Sequence, residues 1–275
     1  MRRLLALGLF LIPASLPSQA REPLVEFENM TWVEVRDALA AGRTTALYYT
    51  GGTEQRGPQN VNGGHNYMAR ATAKAIALAL GNAIAMPVVP YTPNNASATL
   101  PGTIGITNEI LSPLLERLSE EAIKTGFRNV VLMGDHGGGQ GNPNVYAEVA
   151  TRLDAKYAPQ GIRVIYADSV YAPAQDDFEK QLRAEGYPAS GHGALFDTSY
   201  MIYTCGWDCV RKDVLKDAVG DPVRVAGAPR DTTSARKNNG ITGDARRSSK
   251  ELGERLFKMR IDYATRQINR MLGKR

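Results

Sequence analysis

Histidine is scarce in this chain, three in 275 residues, and so are cysteine and tryptophan, with two each, and phenylalanine, with six. No internal repeat or low-complexity block is present. The longest apolar run, residues 4–12 (LLALGLFLI), has nine residues. That is too short for an ordinary membrane span, which excludes a multi-pass membrane protein. Hydrophobic residues at 43% and charged residues at 22% exclude a disordered or collagen-like chain. A chain of this length buries a sizeable core, so neither a disulfide nor a metal is needed simply to fold.

The nine-residue run belongs to a leader. Arg2 and Arg3 precede it, and Pro13 and a polar PSQA follow it. Ser18 and Ala20 are the small residues that a cut after Ala20 requires. The sequence therefore predicts a signal peptide over 1–20, export to a periplasm, and a mature chain of 21–275 folded as a single domain with a basic C-terminal helix. No cysteine follows the cut, which argues against a lipid anchor, so no membrane anchor is expected after cleavage. Cys205 and Cys209 form a C-x₃-C pair. In an oxidising compartment that pair reads as a local disulfide before a metal pair.

Charge is uneven. Arg230–Arg275 holds 13 Lys/Arg against 5 Asp/Glu. Acidic residues interrupt this tail and no aromatic stacking set accompanies it, so it reads as a solvated helix or a subunit contact and not as a nucleic-acid surface.

Strand-like runs at 44–51, 82–91, 129–135 and 162–170 are short, apolar and bounded by turn residues. Amphipathic stretches lie at Trp32–Ala41, Tyr67–Leu80, Asn108–Thr125 and Pro143–Tyr157, with Pro143 suited to a first helical turn. A final helix over about 248–272 carries Leu252, Leu256, Met259, Ala264, Ile268 and Leu272 near helical spacing. This alternation predicts an α/β fold, three layers α/β/α around a mainly parallel sheet. In such folds ligands bind beyond the carboxyl ends of the strands. All three histidines, His65, His136 and His192, fall in the polar loop segments that follow the strand-like runs. Glu54, His65, His136 and Asp197 are candidate ligands for a divalent metal. Gly137, Gly138 and Gly139 would leave room for a substrate. Spacing alone leaves a simple polar turn as the other reading, since no compact HExxH motif is present.

At these residues the sequence resembles the creatininase (creatinine amidohydrolase) family. GGTEQRGPQNVNGGH (51–65), LPGTIGIT (100–107), DHGGGQGN (135–142), HGALFDTS (192–199) and GITGD with ELG (240–253) match that family's blocks in order. The resemblance implies metal-dependent hydrolysis of a C–N bond in a small, sometimes cyclic, amide, and a homo-oligomer, commonly a hexamer. It assigns Glu54, His65 and His136 to one metal, with zinc first and manganese or iron as alternatives. It assigns His192 the role of catalytic proton shuttle and places Gly137, Gly138 and Thr103 at the substrate pocket. Arg56 and Asp197 fall at the remnant of a second metal site. There an arginine replaces a ligating histidine, His65 replaces a bridging aspartate, and the acidic residue is shortened. Arginine stays protonated and cannot ligate, so one metal per subunit is expected, with Arg56 against Asp197 supplying the second cation's charge. The position two residues after the metal histidine, acidic in creatininase itself, is Gly138, which counts against creatinine as substrate. The leading expectation is a periplasmic amidohydrolase. The rivals are a metal- or ligand-binding pseudoenzyme of the same fold and, third, an Fe²⁺ oxygenase, whose jelly-roll host conflicts with the βα alternation.

Overall fold

Each of the four apolar runs supplies a strand: β1 (Thr45–Thr50), β2 (Ala83–Ala85), β3 (Asn129–Gly134) and β4 (Arg163–Tyr166). They pair in parallel in the order β2-β1-β3-β4. The structure is a computed structural model that describes residues 22–94, 99–224 and 236–273; the expected leader, 1–20, lies outside them. The run 82–91 yields only three strand residues. Pro87 and Pro90 interrupt it, and proline cannot donate to a ladder; between them Val89 makes one isolated bridge to Thr50. The run 162–170 likewise gives only four.

Period-two alternation divides the strand side chains between two layers. Ala46, Tyr48, Ile84, Val130, Leu132 and Val164 pack with α1 (Trp32–Ala40), α3 (Asn108–Thr125) and α4 (Val145–Tyr157). Their neighbours Leu47, Tyr49, Ala83, Ala85, Val131, Met133 and Ile165 pack with α2 (Gly64–Leu80) and α8 (Lys250–Met271). Helices therefore cover both faces of the sheet, as the alternation of the sequence predicts. Beyond the second layer, α5 (Ala172–Ala184), α6 (Leu195–Thr204), the short α7 (Lys212–Leu215) and the start of α8 share a further core around Phe178, Phe196, Met201 and Leu256.

The helix ends follow local chemistry. Thr31 and Glu34 form a reciprocal capping box at α1. Pro143 does not open α4. The helix begins two residues later, capped by the Asn144 side chain, which accepts from the Ala147 N–H at 3.0 Å. Cys205 and Cys209 are joined by a disulfide between the end of α6 and the turn after it.

The six-residue register of β1 against β3 aligns their carboxyl ends at Thr50 and Gly134. The loops carrying Glu54 and His136 therefore leave the sheet side by side, and the start of α2 delivers His65 to the same edge.

Candidate metal centre

Glu54 sits at the middle of the centre and is almost fully buried. Its Oε1 lies 2.9 Å from His65 Nε2 and its Oε2 lies 3.1 Å from His136 Nε2. Asn94 Nδ2 donates to Oε2 at 2.6 Å. Glu54, His65 and His136 bring one ligand atom each within 4.8 Å of one another and form a group that could hold a metal ion. One carboxylate and two imidazoles suit Zn²⁺ or Mn²⁺ and leave further positions for water. The donor set thus fits a single divalent ion.

Two N–H···O contacts now join Glu54 to the imidazoles. Burial alone would raise the Glu54 pKa, but the hydrogen bonds from His136 and His65 outweigh it and hold the carboxyl far below the ordinary range. Burial and the Arg56 charge push His65 down, yet its bonds to Asp135 and Glu54 prevail and leave its pKa raised. His136 is lowered, chiefly by burial. Its Nδ1 accepts the Gly138 N–H at 2.8 Å and lies 3.2 Å from Thr92 Oγ1.

Asp135 was missed by sequence reasoning. It follows β3 directly and is fully buried, and its Oδ2 lies 2.8 Å from His65 Nδ1. Arg260 of α8 reaches its Oδ1 at 2.5 Å, and the Tyr49 hydroxyl donates to the same oxygen at 3.1 Å. A signal for this group was present. Leu252, Leu256, Ala264 and Ile268 recur every fourth or eighth residue on the buried stripe of α8, and Arg260 occupies the position between them.

His192, three residues before α6, stands at the cavity wall. Its Nε2 donates to the Gln55 carbonyl at 2.7 Å, which leaves Nδ1 facing Glu54 Oε1 at 3.6 Å. Arg56 is fully buried, with Nη2 2.7 Å from Asp197 Oδ1. The contact is an ion pair and not the two-bond fork that guanidinium and carboxylate can form: among the described residues none of the three guanidinium nitrogens, Nη2 included, makes a well-aligned hydrogen bond. Asp197 Oδ2 accepts the Gly193 N–H at 2.8 Å. Burial would raise the Asp197 pKa; the Arg56 charge reverses this and carries it down to about 2.

These residues frame a cavity of about 400 Å³, lined by Glu54, His65, His136, His192, Asp197 and, on the far wall, Tyr171 and Gln175. Gly137 and Gly138 line it too, but room for a substrate is not the whole reason for Gly138. A Cβ there would overlap the Pro93 carbonyl oxygen, so this backbone path excludes any larger residue, an acid included. Thr103 does not line the cavity; its hydroxyl accepts the Gln55 N–H at 3.1 Å.

Fold and site together define a three-layer α/β/α protein with a candidate metal centre beyond the carboxyl ends of its strands. The creatininase family profile, described as creatinine amidohydrolase, matches residues 28–268. The chain belongs to this hydrolytic family. Solved structures share the fold at low identity. A creatininase variant of Zn–Zn type is 23% identical at a TM-score of 0.72, and a manganese creatininase is 21% identical at 0.70. A creatininase variant complexed with creatine is 22% identical at 0.69. In each case the match covers 91% of this chain and 99% of the other. No curated protein matches the chain.

Proposed function

We propose that this protein is a metal-dependent amidohydrolase that cleaves a C–N bond of a small amide with one divalent metal per subunit. The observation that carries this reading is the meeting of Glu54, His65 and His136 in one cavity with His192 Nδ1 turned toward the same carboxylate. Held by these three residues, the cation would supply activated water and polarise a carbonyl oxygen. The rest of the work falls to the chain. The Gln55 carbonyl fixes the His192 proton on Nε2, so Nδ1 is the atom that takes a proton and returns it to a leaving nitrogen. Asn94 holds the Glu54 carboxylate in place. The low pKa of Asp197 keeps a negative charge on the cavity wall, suited to accept an amide or amidine N–H of the substrate. The closed packing of Gly138 on Pro93 leaves no room for the acidic residue that the resemblance places there in creatininase, which favours a substrate other than creatinine. The leader at 1–20 supports a periplasmic setting, and the family resemblance supports a homo-oligomer.

The test is elemental analysis of the purified mature chain, followed by incubation of the metal-loaded protein with a panel of cyclic and open amides, creatinine included, read by mass spectrometry for addition of water. One equivalent of metal with turnover of at least one amide is expected. His192→Ala should keep the metal and lose about 10²–10⁴-fold in rate. A metal-loaded protein that turns over no amide would favour the binding-only reading.

A further inference from the structure

A charged residue on the apolar stripe of a packed helix needs a reason, because burying a guanidinium is costly unless it is paired. Arg260 is 3% exposed, at the middle of the buried face of α8. Its guanidinium lies over the Tyr200 ring at 4.5 Å and the Tyr171 ring at 5.5 Å. Its Nη2 donates to Gln175 Oε1 at 3.3 Å and its Nη1 to Asp135 Oδ1. Asp135 divides its two oxygens: one faces Arg260 and Tyr49, the other faces His65 Nδ1. The chain of contacts therefore runs from the C-terminal helix, through one carboxylate, to one imidazole of the candidate centre.

We propose that Asp135, clamped by Arg260, is a positioning residue that fixes the His65 ring with Nδ1–H engaged and Nε2 presented to the metal. The proposal rests on the metal-binding reading above. A metal-ligating imidazole characteristically donates its other ring N–H to a carboxylate or carbonyl, which sets its tautomer and orientation, and loss of that partner typically costs about 10–100-fold in metal affinity. His65 has this partner. Among the described residues no carboxylate stands behind His136, whose Nδ1 faces Thr92 and the Gly138 N–H. The two imidazoles are therefore unequal: His65 is held by charge and His136 by loop geometry. Arg260 completes the arrangement by balancing the Asp135 charge and holding the carboxylate against the imidazole.

The experiment measures Zn²⁺ affinity by competition with a chromophoric chelator, alongside thermal melting of the metal-free proteins. The variants are Asp135→Asn, Arg260→Met and the double variant Asp135→Asn/Arg260→Met. The double variant removes both charges at once, a change that buried ion pairs often tolerate without loss of stability. The expected result is a drop of about 10–100-fold in Zn²⁺ affinity for Asp135→Asn and for the double variant, with the double variant melting close to wild type. A folded double variant that binds Zn²⁺ within twofold of wild type would overturn the proposal and leave the metal reading standing. Wild-type protein that binds no Zn²⁺ would overturn both.

Discussion

Arg56 is the residue at which this centre departs furthest from a site built for two cations. A guanidinium already stands against Asp197 and brings its charge to Glu54 and Asp135 as well. A second dication would meet it as a like charge. The pair also makes stability depend on pH. Asp197 has a pKa near 2 in the folded state against about 3.9 in an unfolded chain. Its contribution is thus fully present above about pH 4 and lost as pH falls toward 2. Asp197→Asn leaves a buried arginine without its anion and should cost about 3–5 kcal/mol at pH 7. In urea unfolding with chelator present, the gap between variant and wild type should narrow between about pH 4 and pH 2, as wild type loses the Asp197 contribution. A gap that holds constant to pH 2 would show that Arg56 does not depend on the Asp197 charge.

At the scale of elements, α6 and α8 approach closely at Gly253. A Cβ at Gly253 would overlap the Ser199 carbonyl oxygen and crowd the Tyr203 side chain. Alanine is the better helix former by about 1 kcal/mol, yet overpacking typically costs about 1–3 kcal/mol. Gly253→Ala should therefore lower the urea midpoint despite the gain in propensity; an unchanged or raised midpoint would mean that the helices part easily. The same pair of helices shows what was legible in the sequence. α8 announces itself by its stripe, whereas α6 does not, because Leu195, Phe196, Thr198, Ser199, Tyr200, Met201 and Ile202 are buried around the whole helix and leave no period to read. Short apolar runs bounded by turn residues marked all four strands, and prolines trimmed the second. Glu54, His65, His136 and His192 are all candidates named from the sequence, and the four line one cavity. Arg260 stood out on the α8 stripe, but its partner Asp135 lies 125 residues away, a pairing that no local spacing encodes.

For the whole molecule, the expected leader is open to direct observation. Protein recovered from its native host should give a mass beginning at Arg21, and a chain that retains Met1 would remove the exported setting. The candidate centre draws on residues far apart in the chain, from Glu54 after the first strand to Arg260 in the last helix. In chain order the three candidate ligands and Asp135 all precede α8, so a chain that ended before that helix would have Asp135 behind His65 but no Arg260 behind Asp135.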